Sequence, residues 1–224
     1  MNTPLGHAPH YDDRHHAGRV LAALLTGHPL LTSGLPPTVL GLPRGGVVVA
    51  APVAAALDCP LDAVVVRKLG LPGRPELAMG AVAAVAGRLE VVWNPLVLAR
   101  TRVPDADLDA VVRREVAELR RRDEAYRGGR PPPVLDGALA VLVDDGLATG
   151  ATMRAALEAV RRHHPAAVVV AVPVGAPETC RMLAREVDAL VCPSTPRPFR
   201  AVGQAYSDFS PTSDEEVREA LAGN

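Results

Sequence analysis

Residues 141–152 place a strand, two acids and a small-residue turn directly before a helix, and this order most constrains the fold. Residues 141–143 are a continuous apolar run, typical of a strand buried on both faces of a parallel sheet. Asp144 and Asp145 end that strand, and an alanine-rich helical pattern begins near Ala151. The sequence therefore predicts two carboxylates beside a helix N-terminus at the carboxyl edge of a sheet.

The same stretch has the chemistry of a sugar-phosphate site. A helix N-terminus offers unpaired amides and a positive dipole end to a phosphate, and Thr149 and Thr152 add hydroxyl donors. Asp144 and Asp145 would repel a phosphate, so we assign them to the neutral hydroxyls of an attached ribose. No Lys follows the glycine as in a P-loop, and the Gly-x-Gly-x-x-Gly spacing is absent. The alternative is that these acids and threonines only cap the helix.

Two further predicted strand ends carry positive charge. Arg44-Gly45-Gly46 follows a strand predicted over residues 38–42, and the glycines permit close approach of the backbone to a ligand. Arg67-Lys68 follows a second strand, predicted over residues 61–66. Fixed cations at strand ends suit anionic groups, although a common Gly-Gly turn and a solvated strand end are the simpler interpretations.

The rest of the chain alternates between strand and helix patterns. Helices are predicted over residues 13–25, 47–57, 105–127, 151–163 and 178–185, and strands also over 167–172 and 189–192. This alternation predicts an α/β fold with a doubly wound parallel sheet of about five strands. Residues 78–85 and 89–93 form a predicted hairpin. With 224 residues, we expect a single domain over residues 1–224.

Composition argues against several classes of partner. The formal net charge is −1, and acids flank the arginine run at 120–122, so we expect neither nucleic acid nor a membrane surface as a partner. No apolar run has the length of a membrane span, and the N-terminus lacks a basic segment followed by an apolar core. The three cysteines form no Cys-x-x-Cys pair, which favours a reducing compartment. We therefore expect a cytoplasmic protein.

Residues 141–152 resemble the phosphoribosyl pyrophosphate (PRPP) signature of type I phosphoribosyltransferases, in which a hydrophobic strand leads into Asp-Asp and then Thr-Gly-x-Thr. From Tyr11 onward the chain is most similar to the bacterial predicted phosphoribosyltransferases. The shared motifs are Asp13-Arg14, Gly-Leu-Pro-Arg-Gly-Gly ending at Gly46, Arg67-Lys68-Leu69-Gly70, Glu76-Leu77-Ala78-x-Gly80-Ala81 and Asp144-Asp145.

The resemblance implies a type I phosphoribosyltransferase fold, in which residues 74–103 are a hairpin that forms the flexible loop and residues 193–224 a hood and C-terminal tail. It implies the following site residues: Thr149, Gly150, Ala151 and Thr152 at the 5-phosphate; Arg44, Gly45 and Gly46 at the pyrophosphate; Asp144, Asp145, Arg67 and Lys68 as catalytic groups; and Phe199 and Tyr206 at the acceptor. Mg²⁺ would be the cofactor, held mainly through PRPP, with Asp144 or Asp145 as an additional ligand. A homodimer is expected.

The activity implied is that of a pentosyltransferase, which moves the phosphoribosyl group of PRPP to a nitrogen acceptor and releases pyrophosphate. Ala148 stands where hypoxanthine and guanine enzymes have an Asp before Thr-Gly, which disfavours a 6-oxopurine acceptor. A purine, pyrimidine, amine or ammonia stays open. One alternative is a non-catalytic regulator that binds PRPP or a nucleotide. Another is a receiver-like domain, although the chain has no Lys after Asp145.

Overall fold

The computed structural model describes residues 9–101 and 103–223. The opening residues, on which the expectation of no signal segment depends, lie outside these ranges. The helices are α1 (Arg14–Thr26), α2 (Gly45–Leu57), α3 (Pro95–Arg100), α4 (Asp105–Arg127), α5 (Ala151–Arg161), α6 (Pro177–Leu183) and α7 (Asp214–Ala222). The strands are β1 (Pro37–Gly41), β2 (Leu61–Ala63), β3 (Val65–Leu71), β4 (Arg74–Val85), β5 (Arg88–Trp93), β6 (Leu139–Val143), β7 (Ala167–Ala171) and β8 (Ala189–Val191). Among the described helices, none combines the length and the apolar character needed to cross a bilayer.

Five strands form a parallel sheet in the order β2-β1-β6-β7-β8, which confirms the predicted α/β class. Strands β1 and β6 are neighbours although they are far apart in the chain. Their register pairs Gly41 with Val143, the last residue of each strand. The loops that follow β1 and β6 therefore leave the sheet side by side, and this pairing positions the candidate site.

The parallel sheet is covered on both faces, as a doubly wound fold requires. Val141 and Val143 of β6 belong to the buried cluster that also contains residues of α1, α2, α4 and α7, whereas Leu142 belongs to the cluster that contains Met153 and Leu157 of α5. Successive side chains of a strand point to opposite faces, so β6 contributes to both cores. All residues of β6 are buried, which explains why its sequence is a continuous apolar run.

The predicted hairpin is confirmed and extends into a three-stranded antiparallel sheet, β3-β4-β5. A two-residue turn at Ala86 and Gly87 joins β4 to β5, and both residues have positive φ, +46° and +75°. Turns of this kind match the right-handed twist of the flanking strands. This second sheet packs through Val65 and Leu69 against the core that contains α4, and through Ala83 against the core that contains α5.

The strand predicted over residues 61–66 is wrong as a single element. Residues Leu61–Ala63 form β2 of the parallel sheet, and the amide of Val64 donates to Gly41 O at 2.9 Å. From Val65 the chain pairs with β4 instead. Arg67 and Lys68 therefore lie within an antiparallel strand and not at the end of a parallel one. The apolar run is continuous across this change because both sheets bury it.

Candidate functional site at the carboxyl edge of the parallel sheet

The Gly-Gly turn after β1 lies directly against the acids that follow β6. A Cβ built on Gly46 would be 2.8 Å from Asp144 Cα and from Val143 O, and one built on Gly45 would overlap Asp145 Oδ2. Only glycine permits this approach without displacement of neighbouring atoms. The structure thus brings together the two motifs that the sequence placed at separate strand ends.

The turn between Asp145 and α5 is held by hydrogen bonds on both sides. Leu147 N–H donates to Val174 O at 2.8 Å, and Leu147 O accepts from Ala176 N–H at 2.7 Å. The Thr179 hydroxyl donates to Ala148 O at 2.7 Å. Gly150, with φ +75°, turns the chain into α5 in a conformation that other residues rarely adopt. The turn is therefore a fixed cradle.

This cradle presents hydrogen-bond donors. The hollow above it has a volume of about 140 Å³ and is lined by Asp144 and residues 146–153. Within the described part of the chain, the amides of Thr149, Gly150 and Thr152 have no hydrogen-bond acceptor. No acid occurs in the first turn of α5 to neutralise the helix dipole. An anion is the natural ligand of such a turn.

Each of the two carboxylates has one oxygen fixed by the protein. Asp144 Oδ1 accepts the amide of Asp145 at 2.9 Å, and Asp145 Oδ2 accepts Nε–H of Arg14 at 2.9 Å. The other oxygens, Asp144 Oδ2 and Asp145 Oδ1, make no hydrogen bond to residues 9–101 or 103–223. The site can therefore accept hydrogen bonds from hydroxyls, or bind a cation, through one oxygen of each acid.

The environment of the two acids disfavours their negative charges. Burial raises the pKa of Asp144 well above its usual value, and the neighbouring charge of Asp145 raises it further. Burial also raises the pKa of Asp145, while its hydrogen bond and ion pair with Arg14 lower it. A ligand that donates hydrogen bonds or carries positive charge would offset this cost.

Sequence reasoning gave Arg14 no role, although the Asp13-Arg14 motif belonged to the resemblance. Arg14 is the first residue of α1, where the helix dipole disfavours a cation, and the first turn contains no acid. Because Asp12 and Asp13 directly precede it, no signal in the sequence indicated a distant acidic partner. Its partner in the structure, Asp145, is 131 residues away in the chain.

Arg67 and Lys68 lie on opposite faces of β3. Arg67 Nη2 donates to Glu115 Oε2 of α4 at 2.6 Å. Lys68, on the opposite face, lines a cavity of about 370 Å³ with Ala151 and Thr152 of α5. A larger cavity, about 640 Å³, is lined by Arg67, Glu115 and also Lys68, and includes none of residues 144–152. Lys68 thus borders both cavities, and Arg67 is paired with α4.

Of the two aromatic residues predicted for the acceptor, Tyr206 is packed inside the protein. It is 6% exposed, its hydroxyl donates to Asp145 O at 2.6 Å, and its ring lies 5.5 Å from that of Tyr11 and 5.0 Å from that of Phe209. Its ring therefore holds the tail to the body of the protein. Phe199 is half-buried, and Arg44 is exposed at the start of α2. Their roles as acceptor and pyrophosphate contacts stay predictions.

Comparison with known proteins gives concordant matches. The sequence matches the family described as "Phosphoribosyl transferase domain" over residues 11–192. A Mycobacterium tuberculosis protein of strain H37Rv, named "Putative phosphoribosyl transferase Rv0571c", is 48% identical over 207 residues, which cover 92% of this chain and 45% of that protein. This chain thus spans less than half the length of that relative. TT1426 from Thermus thermophilus, known from a crystal structure, is 46% identical with a TM-score of 0.81, over 96% of this chain and 98% of that chain.

Proposed function

This chain belongs to the phosphoribosyl transferase family, and we propose that it transfers the 5-phosphoribosyl group of PRPP to a nitrogen acceptor with release of pyrophosphate. The observation that most supports this proposal is the juxtaposition at the end of β6. One uncommitted oxygen on each of Asp144 and Asp145 lies beside the donor-rich turn that begins α5. Paired hydroxyl acceptors next to an anion cradle match a ribose that carries a phosphate.

In this proposal the chain binds each part of PRPP separately. The turn formed by Thr149, Gly150, Ala151 and Thr152 donates hydrogen bonds to the 5-phosphate, and Asp144 and Asp145 accept them from the ribose hydroxyls. Arg44, Gly45, Gly46 and Lys68 surround the pyrophosphate. These contacts fix the anomeric carbon between the acceptor and the leaving group, which lowers the entropic part of the barrier.

The reaction forms a bond from the acceptor nitrogen to the anomeric carbon and breaks the bond from that carbon to pyrophosphate oxygen. Pyrophosphate leaves with the bonding electron pair, and a neutral acceptor releases its proton to water. Positive charge develops on the sugar in the transition state, where the carboxylates of Asp144 and Asp145 stabilise it. The strands of residues 74–103 are anchored in both cores, so we further propose that only the exposed start of β4, residues 74–77, closes over the site and excludes water, which would otherwise hydrolyse PRPP.

Mg²⁺ fits this site as a partner of the substrate. In the described ranges, no group of three or more His, Cys, Asp or Glu side chains is arranged to hold a metal ion. Mg²⁺ is commonly bound by substrate phosphates together with one or two carboxylates. Asp144 Oδ2 or Asp145 Oδ1 would serve as the protein ligand, and the bound ion would neutralise charge on the leaving pyrophosphate.

A calorimetric titration of PRPP with Mg²⁺ into the protein tests the proposal. We expect the wild type to bind and the double variant Asp144→Asn/Asp145→Asn to bind at least about tenfold more weakly, since the amides lose the charge but keep the shape. Asp136→Asn, at an exposed turn, is the matched control and should bind as the wild type does. No binding by the wild type would overturn the proposal.

Pyrophosphate release over a panel of purines, pyrimidines, amines and ammonia then separates an enzyme from a regulator. Acceleration by one member would identify the acceptor. Binding of PRPP without release on any acceptor would favour the non-catalytic regulator.

Substitutions in β3 should separate a binding residue from a structural one. Lys68→Met is expected to weaken PRPP binding by about tenfold, because the cation assigned to the pyrophosphate is lost, with little change in stability. Arg67→Met should instead lower the free energy of unfolding by about 1 to 2 kcal/mol, because Glu115 loses two hydrogen bonds. Calorimetry and urea unfolding measure the two effects. The opposite pattern would contradict the assignment of Lys68 to the pyrophosphate.

A further inference from the structure

We infer that Arg14 is a positioning residue for the proposed transfer, which it serves by fixing and partly neutralising Asp145. The inference rests on the proposed function, because it gives Asp145 the task of binding the ribose of PRPP. It assigns a role to the N-terminal helix, which contributes no other residue to the site described above.

The position of Arg14 in α1 is unfavourable for the helix by itself. Arg14 occupies the first helical residue, directly after the N-cap Asp13, whose side chain accepts the amide of His16. A cation there opposes the helix dipole. The side chain of Arg14 leaves its own helix, and its contacts converge on the candidate site.

Three contacts from two segments hold the guanidinium of Arg14. Nε–H donates to Asp145 Oδ2 at 2.9 Å, Nη1–H donates to Ser210 O at 2.8 Å, and Cζ lies 4.1 Å from the centroid of the Phe209 ring. The side chain of Arg14 is 11% exposed and that of Asp145 is 18% exposed. A guanidinium with contacts on its edge and on its face has little rotational freedom, so it fixes the orientation of the Asp145 carboxylate.

The Arg14–Asp145 pair also borders the Gly-Gly turn after β1, which is assigned to the pyrophosphate. A Cβ on Gly45 would be 2.6 Å from Arg14 Nε and would overlap Asp145 Oδ2. The backbone of that turn therefore packs against the pair itself. A change in the orientation of Asp145 would therefore disturb both the contacts with the ribose and the position of the Gly-Gly turn, which is assigned to the pyrophosphate.

Charge gives the pair a second effect on PRPP. Two adjacent carboxylates repel a substrate that carries several phosphate charges, and Arg14 offsets one of the two. Asp144 has no ion-pair partner among the described residues, so its charge is not offset in this way. With Arg14 in place, the site keeps two carboxylates that accept hydrogen bonds from hydroxyls, but it repels the phosphates of PRPP about as strongly as one carboxylate would.

The test measures affinity for PRPP with Mg²⁺ by calorimetry in Arg14→Gln, Arg14→Lys, Asp145→Asn and the double variant Arg14→Gln/Asp145→Asn. Arg14→Gln is expected to bind about tenfold more weakly than the wild type, and Arg14→Lys to recover part of that loss, because the ammonium keeps the charge but not the fixed geometry of the guanidinium. The double variant should bind no more weakly than the weaker single variant, because both substitutions remove the same interaction. Arg19→Gln, exposed on the same helix, is the matched control and should bind as the wild type does.

The outcomes distinguish this inference from the proposed function. Absence of binding by the wild type overturns both. Binding by the wild type with equal binding by Arg14→Gln overturns the role of Arg14 alone. Additive losses in the double variant overturn action through Asp145. Thermal unfolding of every variant identifies a purely structural effect. A loss of affinity that follows the melting temperature across the variants overturns the positioning role.

Discussion

Replacing Gly46 with alanine is expected to lower the free energy of unfolding by about 2 to 3 kcal/mol. The added Cβ would lie 2.8 Å from Asp144 Cα and from Val143 O, both backbone atoms at the end of β6. Backbone cannot rotate away as the end of a side chain can. The loops cannot separate either, because Gly41 and Val143 are paired in the ladder between β1 and β6.

Gly27→Ala is the control for this substitution. Gly27 follows α1 with φ −94°, and a Cβ there would meet no heavy atom within 4 Å. Its free energy of unfolding should stay within about 0.5 kcal/mol of the wild type. Urea unfolding of both variants at equal m-values gives the comparison. If Gly46→Ala is as stable as Gly27→Ala, the close approach between the Gly-Gly turn and the acids is wrong.

The unit formed by β6, the two acids and α5 could be predicted from sequence because each of its signals is local. The apolar run defines a strand buried on both faces, and Gly150 at positive φ marks the turn into the helix. The bounds of α4 were predicted for the same reason. Acids occupy its first turn, and Gly128, with φ +57°, ends it.

The division of residues 61–66 between two sheets could not be predicted in this way. A run of apolar residues indicates burial, but it does not indicate which strand will pair with it. The pairing changes at Val64 because β4, a later segment, provides an antiparallel partner from Val65 onward. The structure separates Arg67 from Lys68 for this reason, since neighbours within a strand point to opposite sides.

The residues that hold Asp145 in place also could not be predicted from the sequence, because they are distant from it in the chain. Arg14 reaches Asp145 across 131 residues, and Tyr206 reaches the backbone of Asp145 across 61. The sequence identified Asp145 by its place after a strand, yet the residues that orient it come from both ends of the chain. Local patterns thus identified the groups assigned to ligands, and tertiary contacts determined how those groups are held.

Replacing Arg127 with methionine is expected to lower the free energy of unfolding by about 3 kcal/mol near pH 8. Arg127 Nη1 lies 3.0 Å from Asp62 Oδ2 in the parallel sheet, and the side chains are 13% and 7% exposed. Arg127 also pairs with Asp123 at 3.1 Å. Its removal leaves the Asp62 carboxylate buried without its main partner, which costs more than the pair contributes in the wild type.

The loss should depend on pH in a defined direction. Burial raises the pKa of Asp62 even while Arg127 lowers it. Between the usual pKa of an Asp and this raised value, the folded protein binds more protons than the unfolded chain, so the free energy of unfolding falls as pH rises. Without Arg127 the pKa of Asp62 rises further, so the pH range in which the free energy of unfolding falls extends toward neutral pH. The deficit of Arg127→Met should therefore shrink as pH is lowered toward about 5.

Urea unfolding at about pH 5 and about pH 8 measures this change, with two further variants to identify its source. Arg121→Met, which breaks an exposed pair with Glu118 on the same helix, should lose much less stability. Arg127→Met/Asp62→Asn should recover part of the loss at the higher pH, because the amide carries no charge to bury. A deficit that is equal at both pH values, or that the Asn substitution does not reduce, would show that Arg127 acts through packing of α4 and not through the charge of Asp62.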